Sequence, residues 1–215
     1  MYIFQPDRYL LNQQVKKYSK NLYGQVLDIG SGGFDRYSDL ISYDSYVKMD
    51  ISPGKNVDIV GSATSIPFGD SSFDCLVSTQ VFEHLADPSR AASEAFRVLR
   101  SGGILLVTVP QINELHEEPN DYWRYTKFGL KELFEKEGLR LVEMDQRGGF
   151  FSMLAQIIAR YLIDRLDLHR HYFLGKVFSK SFYVFSKIMF YLDSVDTSLA
   201  NRKNTIGWCA LFRKP

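Results

Sequence analysis

The chain has 215 residues, enough for one domain of ordinary size with an elaboration, and its 45% hydrophobic content supplies a sizeable core. A formal net charge of +1 gives no global attraction to nucleic acid or anionic lipid, so any basic patch is local. Residues 1–10 lack the long apolar core of a signal peptide, and no window of about 18 uncharged apolar residues marks a spanning helix.

Residues 7–20 mix Tyr9, Leu10, Leu11 and Val15 with Lys16, Lys17 and Lys20, the pattern of an amphipathic helix packed before the core. Residues 25–29 are an apolar run that stops at the turn Gly30-Ser31-Gly32-Gly33, and read as a buried first strand. A short helix is expected at 36–41. Strands follow at 46–51, with Asp50 near its end, at 57–60 and at 73–78. Asp87-Pro88 starts a helix, since Asp is a favoured N-cap and Pro a favoured first residue. Its buried face is Ala91, Ala95, Phe96 and Leu99, and Gly102 is placed to end it. A fifth strand spans 103–109. Thr126 caps a helix with Leu130, Leu133 and Phe134 on its apolar face, ended by Gly138. Strands at 139–144 and 206–212 complete the pattern. Strands alternating with helices predict a parallel α/β sheet with helices on both faces.

Cys75 and Cys209 sit in apolar strand-like runs and read as buried free thiols, as in a reducing cytoplasm. No Cys or His spacing of a metal site occurs, so no metal is expected.

Four features fall in a fixed order along this pattern. Asp28 precedes the glycine turn, and Asp50 closes the second strand. Ser62-Ala63-Thr64 follows the third, and Ser78-Thr79-Gln80 ends the fourth. In an open parallel sheet these all lie at the carboxyl ends of strands, where ligands bind. Glycines there let a ligand approach the backbone, and a carboxylate after the second strand can accept from both hydroxyls of a ribose. Asp28, ahead of the glycines, suits an ammonium group and would repel a pyrophosphate. The turn also lacks the final small residue of the dinucleotide G-x-G-x-x-G pattern and carries Asp35 there. An adenosyl ligand with an amino-acid tail fits these charges better than a nicotinamide dinucleotide.

The motif at 26–32, Ile-Pro-Phe-Gly-Asp-Ser-Ser-Phe-Asp at 66–74, Phe-Glu-His-Leu-Ala-Asp-Pro at 82–88 and Glu-Ala-Phe-Arg-Val-Leu-Arg-Ser-Gly-Gly at 94–103 occur in that order. With them, residues 26–110 resemble a class I S-adenosylmethionine-dependent methyltransferase of the ubiquinone/menaquinone-methyltransferase-like group. The resemblance fades after about residue 147 and returns in the last strand. It implies a Rossmann-like seven-stranded sheet with helices on both faces, the last strand antiparallel, and an α-helical insertion between strands six and seven. The implied organisation is a single domain over 1–215, with a helical cap at 1–22, a cofactor-binding core at 23–149, an insertion at 150–204 and the last strand at 205–215. The implied cofactor is S-adenosylmethionine, released as S-adenosylhomocysteine. Carried over by motif, Gly30, Ser31 and Gly32 line its methionine part, and Asp28 stabilises its amino group. Asp50 holds the ribose, Ile51 packs on the adenine, Ser62 and Ala63 meet the adenine edge, and Gln80 approaches the methionine part. The chain departs from the family at Ser62, often acidic there, and at Phe34, often glycine.

On the acceptor side, the leaving group is already activated, so the protein mainly aligns donor and acceptor. His84 is the candidate base if the acceptor must lose a proton; its other reading is a histidine that shapes the pocket by hydrogen-bonding its loop. His116, Tyr122, Trp123 and Arg124, after the fifth strand, offer flat faces and a cation suited to a sugar or another polar ring. Their other reading is a rim loop pinned by Trp123, with Arg124 paired to a nearby acid. The expected acceptor is a small molecule, a glycan or a lipid-linked precursor. Nucleic acid is disfavoured, because no basic stripe crosses the core. The rival readings are a cofactor-binding scaffold without catalysis and a nicotinamide-dependent oxidoreductase.

Residues 150–195 read as two or more helices. Phe150, Phe151, Leu154, Ile157, Ile158, Tyr161 and Leu162 form a broad apolar surface, with a polar stripe through Ser152, Gln156 and Arg160. Lys176, Lys180 and Lys187 share a face opposite an aromatic and aliphatic one. Packing on the chain's own domain or on a second subunit, as in a homodimer, is the ordinary outcome of such a pattern. Peripheral contact with a membrane is the alternative.

Overall fold

The computed structural model describes residues 3–33 and 35–215; Phe34 lies outside the described residues. Seven strands form one sheet: β1 (Gln25–Ile29), β2 (Ser45–Asp50), β3 (Ile59–Val60), β4 (Phe73–Thr79), β5 (Leu99–Pro110), β6 (Arg140–Gln146) and β7 (Gly207–Arg213). Their order is β3-β2-β1-β4-β5-β7-β6. β1 pairs in parallel with β2 and with β4, and β4 in parallel with β5. Val26 and Leu27 are wholly buried, as a central strand covered on both faces requires. The last strand is antiparallel: the amide of Gly102 donates to the Lys214 carbonyl near one end of β5, and that of Gln111 to the Ile206 carbonyl near the other. After β3 the chain crosses to the far side of β1, so the carboxyl ends of β1 and β4 flank the point where strand order reverses. Ligands bind at that point in open α/β sheets.

The helices are α1 (Pro6–Tyr18), α2 (Pro88–Val98), α3 (Lys127–Glu135), α4 (Phe150–Arg165), α5 (Tyr172–Val195) and α6 (Leu199–Arg202). The segment expected as a short helix at 36–41 is a single 3₁₀ turn, Ser38–Leu40. Asp87 and Thr126 cap α2 and α3 as expected, accepting from Arg90 N and Gly129 N. Gly102, however, does not end α2. The helix stops at Val98, and Leu99 is already extended and paired with Phe73. The left-handed Gly102, φ +81°, instead sits where the β4–β5 register shifts, a place where a strand bulges and a side chain is costly.

The chain divides into two compact units. The larger comprises residues 15–110, 115–145 and 208–215. Its core joins Leu27, Leu76 and Leu105 of the sheet to Phe82, Phe134 and Phe212, each such side chain contributing about 1.5–3 kcal/mol on burial. A polar clamp holds the segment that leads from β3 into β4. Arg97 of α2 donates to the carbonyls of Ile66 and Phe68 and to Asp70 and Glu94, while Glu94 accepts from Ile66 N. Two of the sequence motifs, at 66–74 and 94–103, are thus two halves of one hydrogen-bonded structure. Cys75 and Cys209 are buried free thiols.

The smaller unit comprises described residues 3–14, 111–114 and 146–207. On α4 the polar stripe is largely buried and part of the broad apolar surface is exposed. Ser152 and Gln156 are buried, whereas Phe150, Ile157 and Tyr161 are exposed. The polar stripe goes inside because each member has a partner: Ser152 donates to Asp193, Gln156 accepts from Asp7 N, and Arg160 pairs with Glu114. α5 buries Gly175, Phe182, Ser186 and Met189. Its opposite side exposes Phe173, Val177, Val184, Ile188, Tyr191 and Val195. Lys176, Lys180 and Lys187 are exposed too. At about 100° per residue they border that apolar stripe and do not oppose it. The helix carries two apolar stripes, and the lysines rim the unpacked one.

Candidate functional site

β1 ends in a turn whose geometry requires glycine. Gly30 and Gly32 have φ of +73° and +66°, a region that glycine enters without strain. The amides of Gly30 and Ser31 donate to the Met49 carbonyl at 2.8 and 3.2 Å. Gly32 N donates to Asp50 Oδ2 at 2.9 Å, and Ser52 N to Asp50 Oδ1 at 3.0 Å. The turn and the end of β2 are therefore one hydrogen-bonded unit, and Asp50 braces it. Each Asp50 oxygen retains acceptor capacity beyond these bonds. A Cβ on Gly30 would meet Val81 Cγ2 at 2.3 Å, whereas one on Gly32 or Gly33 would meet nothing within 4 Å among the described residues. The near side of the turn is filled by the chain after β4, and the far side is open along a row of backbone.

Asp28 lies behind this turn and is 5% exposed. The Tyr46 hydroxyl donates to its Oδ2 at 3.0 Å, and burial pushes the Asp28 carboxyl up to about 7. Tyr46 escaped the sequence reading, although alternation along β2 puts Tyr46, Lys48 and Asp50 on one face, and Lys48 pairs in register with Asp28. Lys48 Nζ is 3.0 Å from Asp35. Ile51, just past β2, is 72% exposed, an apolar side chain free to meet a flat ring. Ser62 Oγ and Thr64 Oγ1 are 2.9 Å apart, Thr64 N donates to Ser62 Oγ, and Ala63 is buried beside them.

Gln80, at the carboxyl end of β4, has φ +56°. A side chain held in the left-handed region is strained by about 1–3 kcal/mol and persists only where its surroundings fix it. Its amide donates to the Thr108 carbonyl at 3.0 Å, and its Nε2 to Thr108 Oγ1 at 3.2 Å. The open glycine turn, the buried carboxylate behind it, Asp50 and Gln80 lie at adjoining strand ends. They fit a ligand with an ammonium group and a ribose, and Asp28 and Asp35 do not suit a pyrophosphate.

A second cluster lies on the loops after β4 and β5. His84 Nδ1 is 2.7 Å from the Asn120 carbonyl. A carbonyl only accepts, so the proton is on Nδ1 and Nε2 holds the lone pair. The His84 and His116 rings meet edge to face at 4.8 Å. Arg124 binds Asp121 through both nitrogens, at 2.7 and 2.8 Å, and holds that carboxyl well below the usual carboxylate range. Trp123 Nε1 donates to the Leu85 carbonyl at 2.8 Å, and the amides of Tyr122 and Trp123 both donate to the Glu83 carbonyl. The Tyr122 and Trp123 rings are about half exposed. Glu83, Asn120 and Asp121 carry much of this arrangement, and sequence spacing alone does not bring them together.

Residues 27–107 match the family model described as "Methyltransferase domain". A Mycolicibacterium smegmatis protein named "Probable S-adenosylmethionine-dependent methyltransferase" is 38% identical over 90 residues, covering 42% of this chain and 33% of that protein. The ubiquinone/menaquinone biosynthesis C-methyltransferase UbiE of Klebsiella pneumoniae is 26% identical over 160 residues, covering 60% of this chain and 61% of its own. The chain thus spans between a third and about three fifths of the length of these curated relatives. Among solved structures, the [4+2]-cyclase SpnF is similar with a TM-score of 0.62 at 20% identity, over 97% of this chain and 81% of that one. At that identity the likeness speaks for the fold alone.

Proposed function

With its core a member of the class I S-adenosylmethionine-dependent methyltransferase family, we propose that this protein transfers the methyl group of S-adenosylmethionine to a small molecule, a glycan or a lipid-linked precursor. The observation that carries the reading is the open glycine turn braced by Asp50, with the buried Asp28 behind it. Gly30, Ser31 and Gly32 would present backbone to the methionine part, Asp28 would accept from its ammonium, and Asp50 would accept from the ribose hydroxyls. Ile51, Ser62 and Ala63 would meet the adenine, and Gln80 the methionine chain. The cofactor, when bound, supplies a methyl group on a sulfonium, already activated for displacement. The protein's remaining task is alignment. His84, with its lone pair on Nε2, is the proposed base for an acceptor that must lose a proton, and His116, Tyr122, Trp123 and Arg124 are the proposed acceptor side.

Titration calorimetry tests the reading: S-adenosylmethionine and S-adenosylhomocysteine should bind, and NAD should not. Asp50→Ala should weaken binding about ten- to a hundredfold, since charge-assisted hydrogen bonds contribute about 1.5–3 kcal/mol. Tighter binding of NAD would overturn it.

A lipid-linked acceptor is the finer reading that α5 supports. Its exposed stripe joins large apolar side chains to bordering lysines, and the exposed residues of that helix include no acid. Such a surface suits an anionic lipid interface. The intact chain should then sediment with vesicles containing phosphatidylserine at low salt, and less as salt rises. A dimer in solution that ignores such vesicles would instead assign the stripe to a second copy.

A further inference from the structure

We propose that Glu83, His84 and His116 bind a divalent transition-metal ion of the zinc type. The 3₁₀ turn Phe82–His84 supplies two of the groups, and the loop after β5 supplies the third. One ligand atom from each lies within 4.8 Å of the others. Glu83 is fully buried, and its Oε1 is 3.9 Å from His84 Nε2. One carboxylate and two imidazoles are a donor set that zinc and its neighbours take in sites that keep open positions.

The imidazoles are also prepared for the task. His84 Nδ1 is engaged by the Asn120 carbonyl at 2.7 Å. His116 Nδ1 lies 3.4 Å from the Asp121 carboxylate, which Arg124 holds through two nitrogens. Both Nδ1 positions therefore face oxygen, the orientation in which a neutral imidazole ligates a cation through Nε2. Ligating histidines are oriented in this way by outer carboxylates and carbonyls. An ion held about 2.0–2.1 Å from each donor would draw the three to roughly 3.3 Å apart. That is a small closure for two partly exposed side chains on loops. The site starts two residues beyond Val81, which packs against Gly30. There a cation would polarise an acceptor oxygen beside the glycine turn, with His84 serving as ligand in place of base. That role rests on the methyl-transfer reading, whereas the binding itself does not.

Calorimetry with zinc chloride, and visible absorption with cobalt(II), on the chelator-treated full chain without S-adenosylmethionine test the proposal directly. The chain has four histidines, and His169 and His171 are exposed outside the cluster, so they provide a control. Wild type and the His169→Asn/His171→Asn variant should each take up one ion per chain. His84→Asn/His116→Asn, with unchanged circular dichroism, should bind at least a hundredfold more weakly and lose the cobalt spectrum. Glu83→Gln should do the same if it folds. No uptake by the wild type, or uptake that follows His169 and His171, would overturn the proposal. Failure of zinc binding alongside intact S-adenosylmethionine binding would remove the metal and leave the methyl-transfer reading standing.

Discussion

Asp28 shows how one carboxylate can link the fold to its ligand. Its ordinary value is 3.8, and burial raises it to about 7 in the folded chain. Between these values the folded chain keeps a proton that the unfolded chain has released. Stability should therefore fall as pH rises from about 4 to about 7 and level off above. Asp28→Asn should remove that slope, which melts at pH 5 and pH 8 will show. Affinity for S-adenosylmethionine should run the other way. Its ammonium favours the ionised carboxylate, so binding should tighten through pH 7 in wild type and stay weak and flat in Asp28→Asn, by calorimetry at pH 6 and pH 8. At this scale the sequence is informative where a residue's place along its strand decides its role. Asp28 and Asp50 can be named that way, because a strand's carboxyl end is visible in the chain. Tyr46 and Glu83 cannot, because their partners come from other elements.

Among elements, α4 begins without a capping side chain of its own. The N–H groups of its first turn are met from α5 and α6. Asp193 accepts from Gly149 N, Phe151 N and Ser152 N, and Asn201 accepts from Phe150 N. A carboxylate at a helix N-terminus also meets the positive end of the helix dipole. Gly149 is required there, since a Cβ would come within 2.3 Å of Asn201 Oδ1 and 2.6 Å of Asp193 Oδ1. Asp193→Ala should cost about 1–3 kcal/mol in urea unfolding, and Asp193→Asn less. None of this is legible in the residues around 150, where the usual N-cap signal is missing. The burial of the polar stripe of α4 is illegible for the same reason, since the partners of Ser152, Gln156 and Arg160 lie far off in sequence. The strand-and-turn pattern from 25 to 110 was legible because its signals are local. Gly102 is ambiguous for a related reason: a glycine just past a helix looks alike whether it ends the helix or bends the next strand.

Taken whole, the chain is two compact units, each with its own cluster of buried side chains. A ligand that binds only the folded form stabilises it by mass action, about 2.7 kcal/mol at a hundred times its dissociation constant. S-adenosylhomocysteine should therefore raise hydrogen-exchange protection of the amides in β1, β4 and β5, and unchanged exchange there would count against the site at their carboxyl ends. The stripe that α5 leaves uncovered has a practical consequence at this scale. Dyes that fluoresce on contact with apolar surface, commonly read as a sign of loosened packing, should light up on this protein in its native state. A dye-monitored melt would then start from a high baseline and understate the transition. Near-ultraviolet circular dichroism, which reports fixed aromatic packing, would still show a cooperative fold beneath the glow.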